Sequence, residues 1–244
     1  MFFEYIRTQA EARKLLSREH FSCDGTLLEA AASLKSFRPR DEGRDGDAGL
    51  NGPGGRNPDV SFHGKKRTNQ THASTTDPDA RLCRIKGKEA KLAYRGHLLV
   101  ENRHGLIASS ALTVATGKAE EAAALGLLGQ ERKRRHGRLN VATDRGYNTR
   151  SFVAGARALN ITPHVAEKKR YSAIDQRTTT WEGYAGGQRR RKIVEEAFGQ
   201  MKTVGGLRKL RHRGEAKVRA VSTFTCACFN LVRLRTLEIE QTPG

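Results

Sequence analysis

The sequence predicts an α/β domain, a mixed sheet with helices on its faces. Three observations carry this expectation. Short alternating apolar runs stand at residues 21–24, 91–101, 105–115, 139–143 and 161–166. Stretches with helical apolar spacing lie between and after them. Their order is strand, helix, hairpin, helix, strand, helix, strand, helix, helix, which suits a mixed sheet covered on both sides.

Taken in order, residues 2–17 space Phe3, Ile6, Ala10 and Leu15 as a helix does, and Phe21-Ser22-Cys23-Asp24 alternates as a short strand that ends at an Asp24-Gly25 turn. A helix is expected from Thr26 to about Ser36, with Thr26 and Glu29 as its capping box. Residues 37–79 then turn to Gly, Asp, Asn, Pro, Arg and Ser, with too little to bury, so a flexible insertion is expected there. A strand at 81–85 follows, and the runs at 91–101 and 105–115 read as a hairpin joined by Asn102-Arg103-His104-Gly105. An Ala-rich helix is expected at 118–128, and a basic stretch (Arg132, Lys133, Arg134, Arg135, Arg138) leads into the strand at 139–143. Asp144-Arg145-Gly146 turns the chain into a helix at 149–159. After the strand at 161–166 come a single helix at 188–203, a Gly205-Gly206 break and a last helix at 216–237.

Charge points to the partner. The chain holds 45 Lys and Arg against 26 Asp and Glu, a net charge of +19, far beyond what solubility requires. A polyanion is the expected ligand. No apolar run is long enough to span a bilayer, so the expected setting is cytoplasmic, with association to the nucleoid and no membrane partner. The four cysteines are too scattered for a disulfide framework or a paired zinc motif, and Cys226 and Cys228 are expected to pack in the core.

Three carboxylates stand out by position. Asp24 and Asp144 each close an expected strand with 119 residues between them, and Glu195 follows on a helix after 50 more. Two-metal phosphoryl transfer needs carboxylates from separate elements that converge while leaving open positions for substrate oxygens. Each signal alone is ordinary: Asp-Gly is a turn, and helix glutamates are usually solvated. The helix at 188–203 discriminates better. At about 100° per residue from Arg191, Glu195 falls near 40°, Lys202 near 20° and Gln188 near 60°, one polar stripe. Ile193, Val194, Ala197, Phe198 and Met201 cover the opposite arc and should pack on the sheet, and Glu196 lies off the stripe. Cations flanking Glu195 would hold a scissile phosphate.

These residues also form a recognisable pattern. Phe21-Ser22-Cys23-Asp24-Gly25-Thr26, Asp77-Pro78-Asp79-Ala80-Arg81-Leu82, Asp144-Arg145-Gly146-Tyr147 and, above all, the Arg191 to Thr203 segment with Glu195 and Lys202 resemble bacterial insertion-sequence DDE transposases. The resemblance runs from about residue 21 to 237. It implies a ribonuclease-H-like core and Asp24, Asp144 and Glu195 as the catalytic, metal-holding triad. Mg²⁺ is the implied cofactor, with Mn²⁺ as a substitute. The resemblance further implies strand hydrolysis followed by strand transfer, with no covalent protein–DNA intermediate. Gln188 stands where many relatives have Tyr, and Asn148 where Asp is common. Relatives usually carry a helical domain before the first Asp, whereas 23 residues precede Asp24 here. The expected organisation is therefore a remnant helical segment at 1–20 and a catalytic domain at 21–240, the insertion at 37–79 lying within it.

The expected partners are DNA, both insertion-sequence ends and target, and further copies in a homo-oligomer or mixed oligomer. The expected DNA surface is residues 189–219, with eleven Lys/Arg against three Glu. It includes Arg189, Arg190, Arg191, Lys192, Lys202, Arg208, Lys209, Arg211 and Arg213. The alternative is a non-catalytic DNA-binding remnant that inhibits an intact transposase. A basic ribosome-associated protein is disfavoured, since it would not require the three acids.

Overall fold

The computed structural model describes residues 2–40, 67–84, 89–116 and 119–241. Its central sheet is built from β1 (His20–Glu29), β4 (Arg81–Cys83), β5 (Lys91–Glu101), β6 (Ile107–Val114), β7 (Leu139–Thr143) and β8 (Ile161–Val165). The main strand order is β6-β5-β1-β7-β8, and β4 is a further partner of β5. The β1–β5 and β5–β6 pairs are antiparallel, while β1–β7 and β7–β8 are parallel. A three-strand antiparallel meander extended by two parallel crossover strands is the ribonuclease-H-like arrangement, and it confirms the expected fold class.

Strand alternation assigns the two faces. Phe21 and Cys23 of β1, Leu99 of β5 and Leu139 and Val141 of β7 enter one core. Covering it are α2 (Ala119–Arg134) through Ala124, Leu127 and Leu128, and α3 (Arg150–Ala158) through Phe152 and Val153. Leu28 of β1 and Leu92, Leu98 and Val100 of β5 enter the second core, covered by Val194, Ala197, Phe198 and Met201 of α6 (Ile193–Thr203). The final helix α7 (Glu215–Gln241) spans both, with Val218, Cys226 and Ala227 in the second core and Leu234 and Leu237 in the first. At 27 residues it is about 40 Å long. The first helix α1 (Phe2–Ala12) buries Phe3, Ile6, Arg7 and Ala10 and packs along α7. No helix among the described residues is long and apolar enough to cross a membrane.

Several expectations are corrected. Asp24-Gly25 is no turn, because β1 runs straight through it, paired with β5 from Phe21↔Glu101 to Glu29↔Ala93. The helix expected at 26–36 is therefore absent. Leu28 is buried in the strand, Glu29 meets Lys91 Nζ at 2.6 Å instead of capping, and one 3-10 turn remains at Leu34–Ser36. Pairing and burial on a ready-made sheet outweigh a local helix signal. Helix α2 runs on past residue 128, so that the basic residues Arg132–Arg134 form its last turn. The single helix at 188–203 is two, α5 (Glu182–Arg190) and α6, broken at Arg191-Lys192, and the short α4 (Gln176–Thr179) precedes them.

Of the flexible insertion expected at 37–79, residues 41–66 lie outside the described residues, and the parts on either side of them are ordered. Strands β2 (Phe37–Pro39) and β3 (His72–Ser74) pair antiparallel. Asp77 is fully buried, where it accepts hydrogen bonds from the Tyr94 hydroxyl (2.7 Å) and the Gly214 amide (3.1 Å). Asp79 accepts from the Glu215 amide at 2.9 Å. The Asp77-Pro78-Asp79 motif thus caps the start of α7 from a distant part of the chain, meeting amides that a helix cannot satisfy itself. The cysteines are free, Cys226 buried and Cys228 half-buried.

Candidate active site

The register of the parallel pair brings the first two acids together. His20 lies beside Asn140, Phe21 beside Val141 and Ser22 beside Ala142, a constant offset that, carried two residues past the last paired residues, aligns Asp24 with Asp144, and the Asp144 charge acts on Asp24. Neighbouring strands are about 4.8 Å apart. Asp24 is on the face of its β5 partner Leu98, which belongs to the core that α6 covers. Locally, each acid ties down its own backbone. Asp24 Oδ1 accepts from the Gly25 amide, and Asp144 Oδ1 accepts from the Gly146 amide, each at 2.8 Å, the latter opening the short turn Arg145–Tyr147.

The electrostatics report the same closeness. Burial pushes the Asp24 carboxyl up to about 6 against the pull of the Gly25 amide, the charges of Asp144 and Glu120 raise it further, and the Arg191 guanidinium opposes them. Three charged groups from three elements therefore act on Asp24.

Glu195 reaches this site through Arg191. Its carboxylate, about half exposed, accepts from Arg191 Nη1 at 3.3 Å, while Arg191 Nε is buried with no hydrogen-bond partner. Lys202, further along α6, donates to the Thr26 hydroxyl at 2.6 Å, two residues beyond Asp24 on the same sheet face. Glu196 instead lines a small cavity with His104 and Arg233. The helix break corrects the expected stripe. Arg191 stands at the break, and Gln188 turns back to the carbonyls of His164 and Thr143 at the ends of β8 and β7. Asn148 accepts from the Ala173 amide at 2.6 Å and donates to the Ala166 carbonyl at 3.0 Å, bracing the loop after β8.

A fourth carboxylate, Glu120 in the first turn of α2, was not among the expected site residues. It pairs with Arg95, accepts from the Tyr147 hydroxyl at 3.4 Å and lies against Gly25, where a Cβ would sit 2.8 Å from its Oε1. Glycine at 25 is what lets this carboxylate approach the strand. Burial raises the Glu120 pKa above the usual glutamate value, Asp144 adds to the rise, and Arg95 opposes it. Next to it His97 is fully buried, held down to about 4 by burial and by the charge of Arg95, and is thus neutral. In sequence, Glu120-Glu121 is the acidic first turn common to helices, and only tertiary contact distinguishes it.

All oxygen donors, the carboxylates of Asp24 and Asp144 suit a hard divalent cation such as Mg²⁺ or Mn²⁺, whose charge would relieve their repulsion. Among the described residues no group of three His, Cys, Asp or Glu is close enough to hold a metal ion. The structure brings two of the three expected acids together and holds Glu195 one ion pair away.

The basic residues divide into two groups. Exposed Arg208, Lys209, Arg211 and Arg213 flank the buried Leu207 and Leu210 on a segment that hydrogen-bonds to Glu29 at the end of β1, beyond Asp24. Lys192 is exposed at the start of α6. Arg189 and Arg190 line a separate cleft toward the other end of the strands, Arg190 donating to the Asn102 carbonyl at 3.2 Å.

Residues 145–235 match the family model of the transposase DDE domain. The match takes in Glu195 and begins one residue after Asp144. No curated protein matches the chain. Among solved structures, the chain is similar to one in the simian T-cell lymphotropic virus intasome in complex with PP2A regulatory subunit B56 gamma. Identity there is 13% and the TM-score 0.34, over 86% of this chain and 49% of that one. It is also similar to the Mos1 transposase paired-end complex with left transposon end, at 10% identity and a TM-score of 0.30, over 80% of this chain and 60% of that one. The chain thus spans about half to three-fifths of those chains. Such likeness is weak, and the fold assignment rests on strand order and direction instead.

Proposed function

We propose, for a chain that carries a transposase DDE domain over residues 145–235, that it cleaves DNA strands at insertion-sequence ends and joins them to target DNA. The observation that carries this reading is the β1–β7 register, which, extended two residues, aligns Asp24 with Asp144 on the sheet face of the helix of Glu195. Asp24 and Asp144 would hold Mg²⁺, or Mn²⁺ in its place, with Glu195 as the third carboxylate. Divalent ions held there would supply Lewis-acid polarisation of the scissile phosphodiester and activation of the attacking water or 3′-hydroxyl.

The chain's own groups do the rest. With its pKa about 6, Asp24 is ionised at neutral pH and ready to act as a ligand. Arg191, already drawn toward the Asp24 charge and bonded to Glu195, offers its guanidinium to a phosphate oxygen once Glu195 turns to the Asp pair. Lys202 on the same helix adds a point charge beside Thr26. Arg208, Arg211 and Arg213 would grip the backbone of the DNA beyond the acids, fixing position without reading bases. Glu120 is a positioning residue, holding Tyr147 and the Gly25 backbone against the Asp pair. Homo-oligomers, or mixed oligomers with an intact transposase, would bring two DNA ends together.

The second reading is DNA binding without catalysis, as an inhibitor of an intact transposase. It draws on the tie between Glu195 and Arg191, which leaves the third acid away from the pair. Incubation of supercoiled plasmid with Mg²⁺ or Mn²⁺ separates the two. Catalysis requires nicked product from the wild type and none from Asp144→Asn or Glu195→Gln, with Glu196→Gln still active. Absence of product from the wild type with either metal, while DNA binding persists, rejects catalysis in favour of the inhibitor.

A further inference from the structure

A wide cleft lies away from the acids. Its volume is about 1420 Å³, and it opens on the same sheet face as Asp24 and Asp144 but beside the starts of the parallel strands, at His20 and Asn140. Asn140 precedes Asp144 by four residues, about 13 Å along a strand. The cleft is walled by the loop between α1 and β1, the turn between β5 and β6, the end of α2 and the glycine-rich face of α5.

Its charge is unspent. Lys14 and Arg18 of the loop between α1 and β1, Arg103 of the turn between β5 and β6 and Arg189 of α5 line this cleft, and none forms an ion pair among the described residues. Arg18, Arg103 and Arg189 are exposed. Of the two acids in the wall, Glu11 is already taken by Arg7 and Arg135, and Glu19 lies 3.6 Å from His20. The α5 wall presents the glycines Gly183, Gly186 and Gly187 beside Arg189 and Arg190. A Cβ at Gly187 would meet His164 Nδ1 at 2.9 Å, so the helix lies directly on the sheet, and Gly186 faces open space. Side-chain-free backbone lets a bulky sugar-phosphate chain approach closely.

We infer that this cleft is a second DNA-backbone site, in which Lys14, Arg18, Arg103 and Arg189 hold the phosphates of duplex flanking the bond presented to the acids. Arginine forks match phosphate oxygens, and four cations spread over a cleft far larger than one phosphate fit a polymer rather than a small anion. The inference rests on DNA being the ligand of this chain but not on cleavage.

Fluorescence anisotropy of a labelled duplex, without divalent metal and across a salt series, tests it in the wild type and in an Asp144→Asn background. Each phosphate contact adds about 0.9 to the slope of log affinity against log salt, so Lys14→Ala/Arg18→Ala/Arg103→Ala should flatten it by about 2–3. Affinity at ~0.1 M salt should fall at least about tenfold. Arg18→Lys/Arg103→Lys should keep the slope, since the charges remain. An unchanged slope and affinity in the triple alanine variant, with its circular dichroism native, overturns the inference. So does equal displacement of DNA and loss of a poly-glutamate ligand, which would make the cleft an acidic-peptide site. Loss of slope in a protein that nicks no plasmid refutes only catalysis, and normal slope in a protein that nicks refutes only the cleft.

Discussion

Glu131 on α2 is the sharpest place to test how the wall of the basic cleft is held. Its carboxylate is 1% exposed and accepts from Arg135 Nε (2.7 Å), Ser109 Oγ (2.8 Å), Arg134 Nη1 (3.2 Å) and Arg7 Nη2 (3.4 Å). Arg7 comes from α1, so this one carboxylate joins α1, α2 and β6. Removing it by Glu131→Ala leaves the side chains of Arg7 and Arg135, 5% and 6% exposed, with only the more exposed Glu11 and, for Arg7, Glu4 as partners. Breaking a buried pair in this way costs about 3–5 kcal/mol, a large part of the roughly 5–15 kcal/mol that holds a domain together. At about 2–4 °C per kcal/mol, the melting temperature should drop by roughly 10 °C. Glu131→Gln keeps the shape and an acceptor and should lose less.

The pH dependence of the same group has a definite sign. Burial alone would raise the Glu131 pKa, but the Arg135 hydrogen bond, the Arg7 charge and the Ser109 hydrogen bond outweigh it and hold the group below the usual glutamate value. A depressed carboxylate stabilises the fold fully above its unfolded pKa, and this contribution fades as pH falls through the folded value. The gap between wild type and Glu131→Gln should therefore stay level from about pH 6 to 8 and narrow below about pH 4.5. Urea denaturation followed by far-ultraviolet circular dichroism at pH 7 and pH 4 measures both effects. A Glu131→Ala variant within 1 kcal/mol of the wild type would refute the network as a determinant of stability, and a gap that widens in acid would refute the sign.

Three further outcomes follow from the same structure. Asp77→Ala leaves the buried Tyr94 hydroxyl and the start of α7 without their acceptor and should cost about 2–3 kcal/mol in a urea melt, with Asp77→Asn closer to wild type; equal losses would mean that the hydrogen bonds do not matter. Gly25→Ala drives a Cβ to 2.8 Å from Glu120 Oε1 and 3.1 Å from His97 Nδ1, so plasmid nicking should fall more than about tenfold while the fold survives, and unchanged nicking would exclude Glu120 as a positioning residue. Arg208→Ala/Arg211→Ala/Arg213→Ala should weaken duplex binding alike for all sequences and flatten its salt slope by about 2–3, whereas a sequence-dependent loss would show that these residues read bases.

Local pattern by itself determined much of this protein. The hairpin of β5 and β6, the strands β7 and β8, the helix after Asp144 and the buried side of α6 all follow from apolar periods of two or 3.6 residues, because each element's own residues decide which side is apolar. The net charge of +19 pointed to a polyanion, and the separate strands of Asp24 and Asp144 pointed to one site. Tertiary structure decided the rest. Asp24-Gly25 reads as a turn in isolation and becomes mid-strand only because β5 supplies a partner for each residue of that stretch. The break at Arg191-Lys192 separates a helix lying on β7 and β8 from one lying on β1, a demand of the sheet that no single helical period records. Glu120 looks like any acidic first turn until α2 sets it against Gly25, and Arg189 joins Lys14, Arg18 and Arg103 only when three distant segments meet. Such contacts depend on pairs of residues far apart in the chain, and local periodicity carries no term for them.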